Sequence, residues 1–168
     1  AQLHRFVDTG KPLLVIRPAN QGLIAGNDRL PKGKTDGHWF DRDLLGIEYL
    51  EDFRNSKASD AAFAYIWRAR EAQRHPVLKD WPAGKLRVNR ALYRFRMQSE
   101  STALIRGSIE GSQLGQPVAW THVSPAGGHV FCTSLSHADD FDVPAVRRLF
   151  VRAIYWLLNR DVLAFEGE

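Results

Sequence analysis

The chain of 168 residues holds a single cysteine, Cys132, and a single methionine. One cysteine excludes an intramolecular disulfide and argues against a cysteine-ligated zinc site. No apolar run approaches the roughly 20 residues that a membrane-spanning helix needs, and no leader of the secretory type opens the sequence. A glycine-rich loop of the phosphate-cradling form is missing. So are His-x-His and His-Glu-x-x-His pairs, so a metal site would have to be assembled from distant segments. Neither sign of charge dominates: 23 Lys and Arg stand against 19 Asp and Glu, a net charge of +4. The basic residues are scattered as Arg68/Arg70/Arg74, Arg87/Arg90/Arg94/Arg96 and Arg147/Arg148/Arg152. No aromatic-basic motif accompanies them, so neither nucleic acid nor a membrane is an expected partner.

What is present reads as one globular domain over residues 1–168, 44% apolar and 25% charged, with enough chain for a real core. Leu3, Phe6 and Val7 share a helical face that stops at Gly10. "PLLVI", 12–16, reads as a buried strand running into Arg17. Residues 18–37 form a long polar loop with four glycines and two prolines, the length of a functional loop or lid. "WFDRDLLGIEYL" is a short amphipathic segment broken at Gly46, with a strand over 47–53. "DAAFAYIWRA", 60–69, alternates like a strand, although its alanines leave a helix open. "RHPVLKDWP" is a turn-rich connection. Strands follow at 91–98 and 102–110, then two more at 117–124 and 128–135 around the hairpin turn "PAGG". The clearest helix starts at Pro144, with Val146, Leu149, Phe150, Ala153, Ile154 and Leu157 on one apolar face. The pattern predicts an α/β three-layer sandwich with a mixed sheet. Such chains usually open on a strand; this one opens inside a helix, so at least one βα unit is expected to lie ahead of Ala1.

The strongest local signal is "HVFCTSLSHADD". An apolar strand ends at Thr133-Ser134, His137 lies just beyond, and Asp139 is two residues on. A histidine at a strand end with a carboxylate beside it suits acid/base work. The same residues equally suit a cap for the helix at 144. Cys132, among bulky apolar neighbours, reads as a buried core residue. His122, on a strand, reads as structural, His75 before Pro76 as a turn residue, and His38 as either a pocket or a surface residue.

"QPVAWTHVSPAGGHVFCTSLSHADDF" followed by "RRLFVRAIYWLL" resembles the C-terminal signature of the ThuA-like (trehalose-utilisation) family. "RHPVLKDWP", "RALYRFR" and "GKPLLVIR" are similar to its upstream pieces. The resemblance implies a class I glutamine amidotransferase-like fold, a flavodoxin-like three-layer sandwich. It also implies that this fragment lacks the first βα units and holds the C-terminal two-thirds of the domain. In the amidotransferases the strand equivalent to "GKPLLVIRPANQ" carries the nucleophilic cysteine where Arg17 stands here; the ThuA-like pattern usually has His at that point. Arginine can be neither nucleophile nor base, but its planar fork can clamp polar groups. His137-Ala138-Asp139 falls where the amidotransferases have His-x-Glu.

The resemblance therefore implies a role in carbohydrate metabolism, on trehalose, a keto-sugar or a glycoside, without glutaminase chemistry. In that reading His137 is the general acid/base and Asp139 orients it. Arg17 and Asn20 bind polar substrate groups, and His38 and Trp39 line the mouth. The alternative is a non-catalytic domain of a larger protein that binds a carbohydrate or a partner, with Trp67, Trp81 or Trp120 available to stack on sugars. The expected ligand is a small carbohydrate. Self-association, cofactor and location are left open.

Overall fold

The computed structural model describes residues 2–16, 39–52, 64–88, 93–109, 115–135 and 137–161. It has a mixed α/β architecture. Helix α1 (Gln2–Val7) ends at Gly10, whose N–H donates to Val7 O at 2.9 Å and whose φ of +68° favours glycine. Strand β1 (Leu13–Ile16) follows, then a π-helical turn at Trp39–Leu44 and strand β2 (Ile47–Asp52). Next come β3 (Ala64–Arg68), β4 (Leu86–Val88), β5 (Tyr93–Met97), β6 (Thr102–Ile109), β7 (Gln116–Val123) and β8 (His129–Thr133). Helix α2 (Pro144–Leu157) closes the described chain.

Six strands form one sheet in the order β1-β8-β7-β6-β3-β4. β1 and β8 pair in parallel, with Leu13 opposite Val130 and Ile16 opposite Thr133. The other four neighbour pairs are antiparallel. β2 and β5 make a separate antiparallel ribbon.

Two apolar clusters mark the layers. In one, α2 sets Val146, Leu149, Phe150, Ala153 and Leu157 against Phe131, Leu104 and the connection at 69–82. In the other, Val15, Val130, Cys132 and Trp120 pack with Val7, Phe40, Leu44, Leu45, Ile47 and Phe95 from α1, the π-helical turn and the ribbon. Here the second face of the sheet is covered by a ribbon and short turns. The 69–82 connection is two 3-10 turns, Arg70–Ala72 and Pro76–Leu78, organised by Arg68. Its guanidinium donates to the carbonyls of Gln73 (3.1 Å), Leu78 (2.9 Å) and Trp81 (3.0 Å), the last two in a half-buried setting.

Two details of the sequence reading are corrected. Ile154 does not join the buried face of α2: it is 42% exposed, and Arg152 is buried in its place. Arg152 Nη2 reaches Asp80 Oδ2 at 3.1 Å, so an ion pair with the 69–82 connection accompanies Arg152 on the otherwise apolar inward face. β4 was not expected. Its three residues are too few to show a period, and it exists through its pairing with β3. No helix among the described residues is long and apolar enough to cross a membrane.

Candidate functional site

β8 ends in a turn built by its own hydroxyls. Thr133 Oγ1 donates to Val118 O (3.0 Å) and accepts the N–H of Leu135 (3.1 Å). The N–H of Ser134 also donates to Val118 O, at 2.9 Å, with its Oγ 3.4 Å away. Both residues are buried, so these hydroxyls shape the turn and are not presented to a ligand.

His137 stands at the N-cap of a 3-10 turn, Ala138–Asp142. The N–H of Asp139 donates to its Nδ1 at 3.4 Å. The N–H of His137 donates to Asp140 Oδ2 at 2.9 Å, completing a capping box. The sequence offered these residues as caps for the helix at 144. Instead they cap the 138–142 turn, and α2 begins at Val143 with no side-chain cap. The carboxylate of the box is that of Asp140. The sequence reading passed over Asp140, although its three-residue spacing from His137 is the capping-box signal.

The structure does bring His137 and Asp139 together. Nδ1 lies 3.5 Å from Asp139 Oδ2, and the two side chains are 49% and 54% exposed. An exposed pair of this kind contributes only about 0–1 kcal/mol to stability. Its interest is chemical. The neutral ring accepts the Asp139 N–H at Nδ1, which places its proton on Nε2. The protonated ring can turn the same Nδ1–H toward Asp139 Oδ2. In both states Nε2 has no hydrogen bond among the described residues and is the ring atom left for exchange. Arg17, Asn20 and His38 lie outside the described residues, as does the side chain of Trp39. Ile16 ends β1 opposite Thr133, the last residue of β8.

The remaining candidates have structural work. Cys132 is 1% exposed, and burial pushes its thiol pKa well up, the opposite of what a thiolate nucleophile needs. His122 is buried; its Nε2 lies 3.1 Å from Asp43 O and its Nδ1 3.1 Å from Ser101 Oγ. The Asp43 carbonyl can only accept, so Nε2 carries a proton. Ser101 Oγ also lies 2.7 Å from Gly46 O. Gly46 has a φ of +66°, and a Cβ there would collide with Ser101 Oγ and the His122 ring. His75 accepts the N–H of Val77 at Nδ1 (3.3 Å) and caps the 76–78 turn. Of the tryptophans offered for stacking, Trp81 and Trp120 are core residues, and half-buried Trp67 has Lys85 Nζ 5.2 Å from its ring centroid. Among the described residues no group of three or more His, Cys, Asp or Glu is arranged to hold a metal. No protein-family model matches the chain, and no curated protein matches it.

Proposed function

We propose that this chain is a ThuA-like domain of the flavodoxin-like, class I glutamine amidotransferase-like type, acting on a small carbohydrate without glutaminase chemistry. The observation that carries the reading is the His137–Asp139 pair. It is half-exposed, it stands on the loop leaving β8, and it has Nε2 uncommitted among the described residues. β1, the parallel neighbour of β8, ends level with it, Ile16 opposite Thr133, and strand ends of this kind are where α/β proteins bind ligands. The buried thiol of Cys132 supports the exclusion of thioester chemistry. In this reading His137 moves a proton at Nε2, Asp139 steadies the charged ring, and Arg17 and Asn20 hold polar groups of the sugar, with His38 and Trp39 at the mouth.

The test is incubation with trehalose, keto-sugars and glycosides, with products followed by mass spectrometry. His137→Ala is expected to lower kcat about 10²–10⁴-fold on the sugar that is turned over. Unchanged turnover in that variant would remove His137 from the chemistry. A second reading, a carbohydrate-binding domain without turnover, is favoured by one observation: Nδ1 of His137 and the hydroxyls of Thr133 and Ser134 are already spent on the turn. Calorimetric binding without any product would select it.

A further inference from the structure

The geometry points to Asp140 as the positioning residue of His137, a role that rests on the acid/base reading of that histidine. Asp140 is 0% exposed, whereas its neighbour Asp139 is exposed. Removing a carboxylate from water is costly unless its oxygens are used. Here one of its two oxygens is used on His137. Its Oδ2 accepts the His137 N–H at 2.9 Å, and the Asp140 N–H donates to the His137 carbonyl at 2.9 Å. Both backbone polar groups of His137 are therefore held by one buried residue. That grip keeps His137 extended, at φ −66° and ψ 147°. From that backbone the ring places Nδ1 against the Asp139 N–H, which leaves the proton on Nε2.

Asp140 is itself anchored. Its carbonyl accepts the N–H of Val143, the residue from which α2 starts. That bond closes the 3-10 turn and leads into α2, so the grip on His137 is part of the turn that precedes the helix. Asp139, which is exposed, can then offer either its N–H or its carboxylate while the ring stays in place. Asp140 touches no reacting atom in this scheme; it acts through His137.

The experiment is NMR of protein labelled with 15N-histidine at pH 8, with the His137 ring signals identified by their loss in His137→Asn. The unaltered protein is expected to show His137 mainly with its proton on Nε2. Asp140→Ala is expected to give a mixture of the two tautomers. Asp140→Asn, whose amide oxygen can still accept the His137 N–H, is expected to restore the single form. An unchanged tautomer in Asp140→Ala, or an Asn variant that behaves like the Ala variant, would overturn the proposal. If Asp140→Ala does not fold, hydrogen exchange of the His137 amide in the unaltered protein decides: protection of tenfold or more over an unstructured peptide supports the grip, and unprotected exchange overturns it. None of these readouts uses a substrate. A single restored tautomer combined with unchanged turnover in His137→Ala would leave the positioning intact and sink the acid/base reading instead.

Discussion

The turn at 133–140 and the passage of residues 43–46 over β7 are both built around a histidine bonded to backbone, and they use it in opposite ways. His122 is sealed, with one nitrogen on Asp43 O and the other beside Ser101 Oγ. His137 spends one nitrogen on the Asp139 N–H and leaves the other uncommitted among the described residues. The two residues are alike in type and in having backbone partners. They differ in the count of committed ring atoms and in exposure, 6% for His122 against a half-exposed side chain for His137. A ring with both atoms committed is a fastening. A ring with one atom committed is an oriented group that can still exchange a proton.

That contrast can be broken most severely at Gly46. Gly46→Ala would force a side chain into a left-handed backbone and into the His122 ring at once. It is expected to cost about 2–4 kcal/mol, combining backbone strain and overpacking, as read by urea denaturation. A loss under about 1 kcal/mol would show that the passage is loosely held. Next in size, His122→Ala should cost about 1–3 kcal/mol, because it strips Asp43 O of its donor in a half-buried setting. His137→Ala should cost only about 1 kcal/mol, the loss of one cap. Equal losses for the two variants, measured side by side, would erase the distinction drawn between them.

The smallest effect concerns His75, a third histidine, which is half-buried and, like His137, caps a turn. Its burial lowers its pKa below the ordinary 6.5, so the folded state favours the neutral ring. The sign follows. The stability it contributes is complete above about pH 6.5, where the unfolded chain is also neutral. It is lost as the pH falls below that and through the folded-state pKa. Thermal midpoints between pH 8 and pH 5 should fall less steeply in His75→Asn, which keeps a capping acceptor, than in the unaltered chain. Parallel profiles would mean that His75 contributes nothing to the pH dependence.

Much of the sheet was legible because its strands alternate. Phe131 and Cys132 face opposite layers, and the "PAGG" turn fixes the β7–β8 hairpin with Val123 opposite His129. Helix α2 was legible from its period, except that Arg152, paired with Asp80, is buried while Ile154 is exposed. The ribbon was harder. β2 and β5 each read as strands, but nothing local says that they pair with each other across 40 residues or which face they cover. At the site, the His137–Asp139 spacing was readable. The buried partner was not singled out, because Asp139 and Asp140 are identical in type and only the fold decides which one is inside.

The carbonyls of residues 43–46 bring one more consequence. Trp120 Nε1 donates to Leu45 O at 2.8 Å, His122 holds Asp43 O, and Gly46 O takes the Gln98 N–H and lies within reach of Ser101 Oγ. Side chains of the main sheet and its approaches thus grip one four-residue stretch that leads directly into the ribbon. With Ile47 and Phe95 of the ribbon also buried against Trp120 and Val130, the stretch is a seam: polar bonds along it and apolar contact behind it hold ribbon and sheet together.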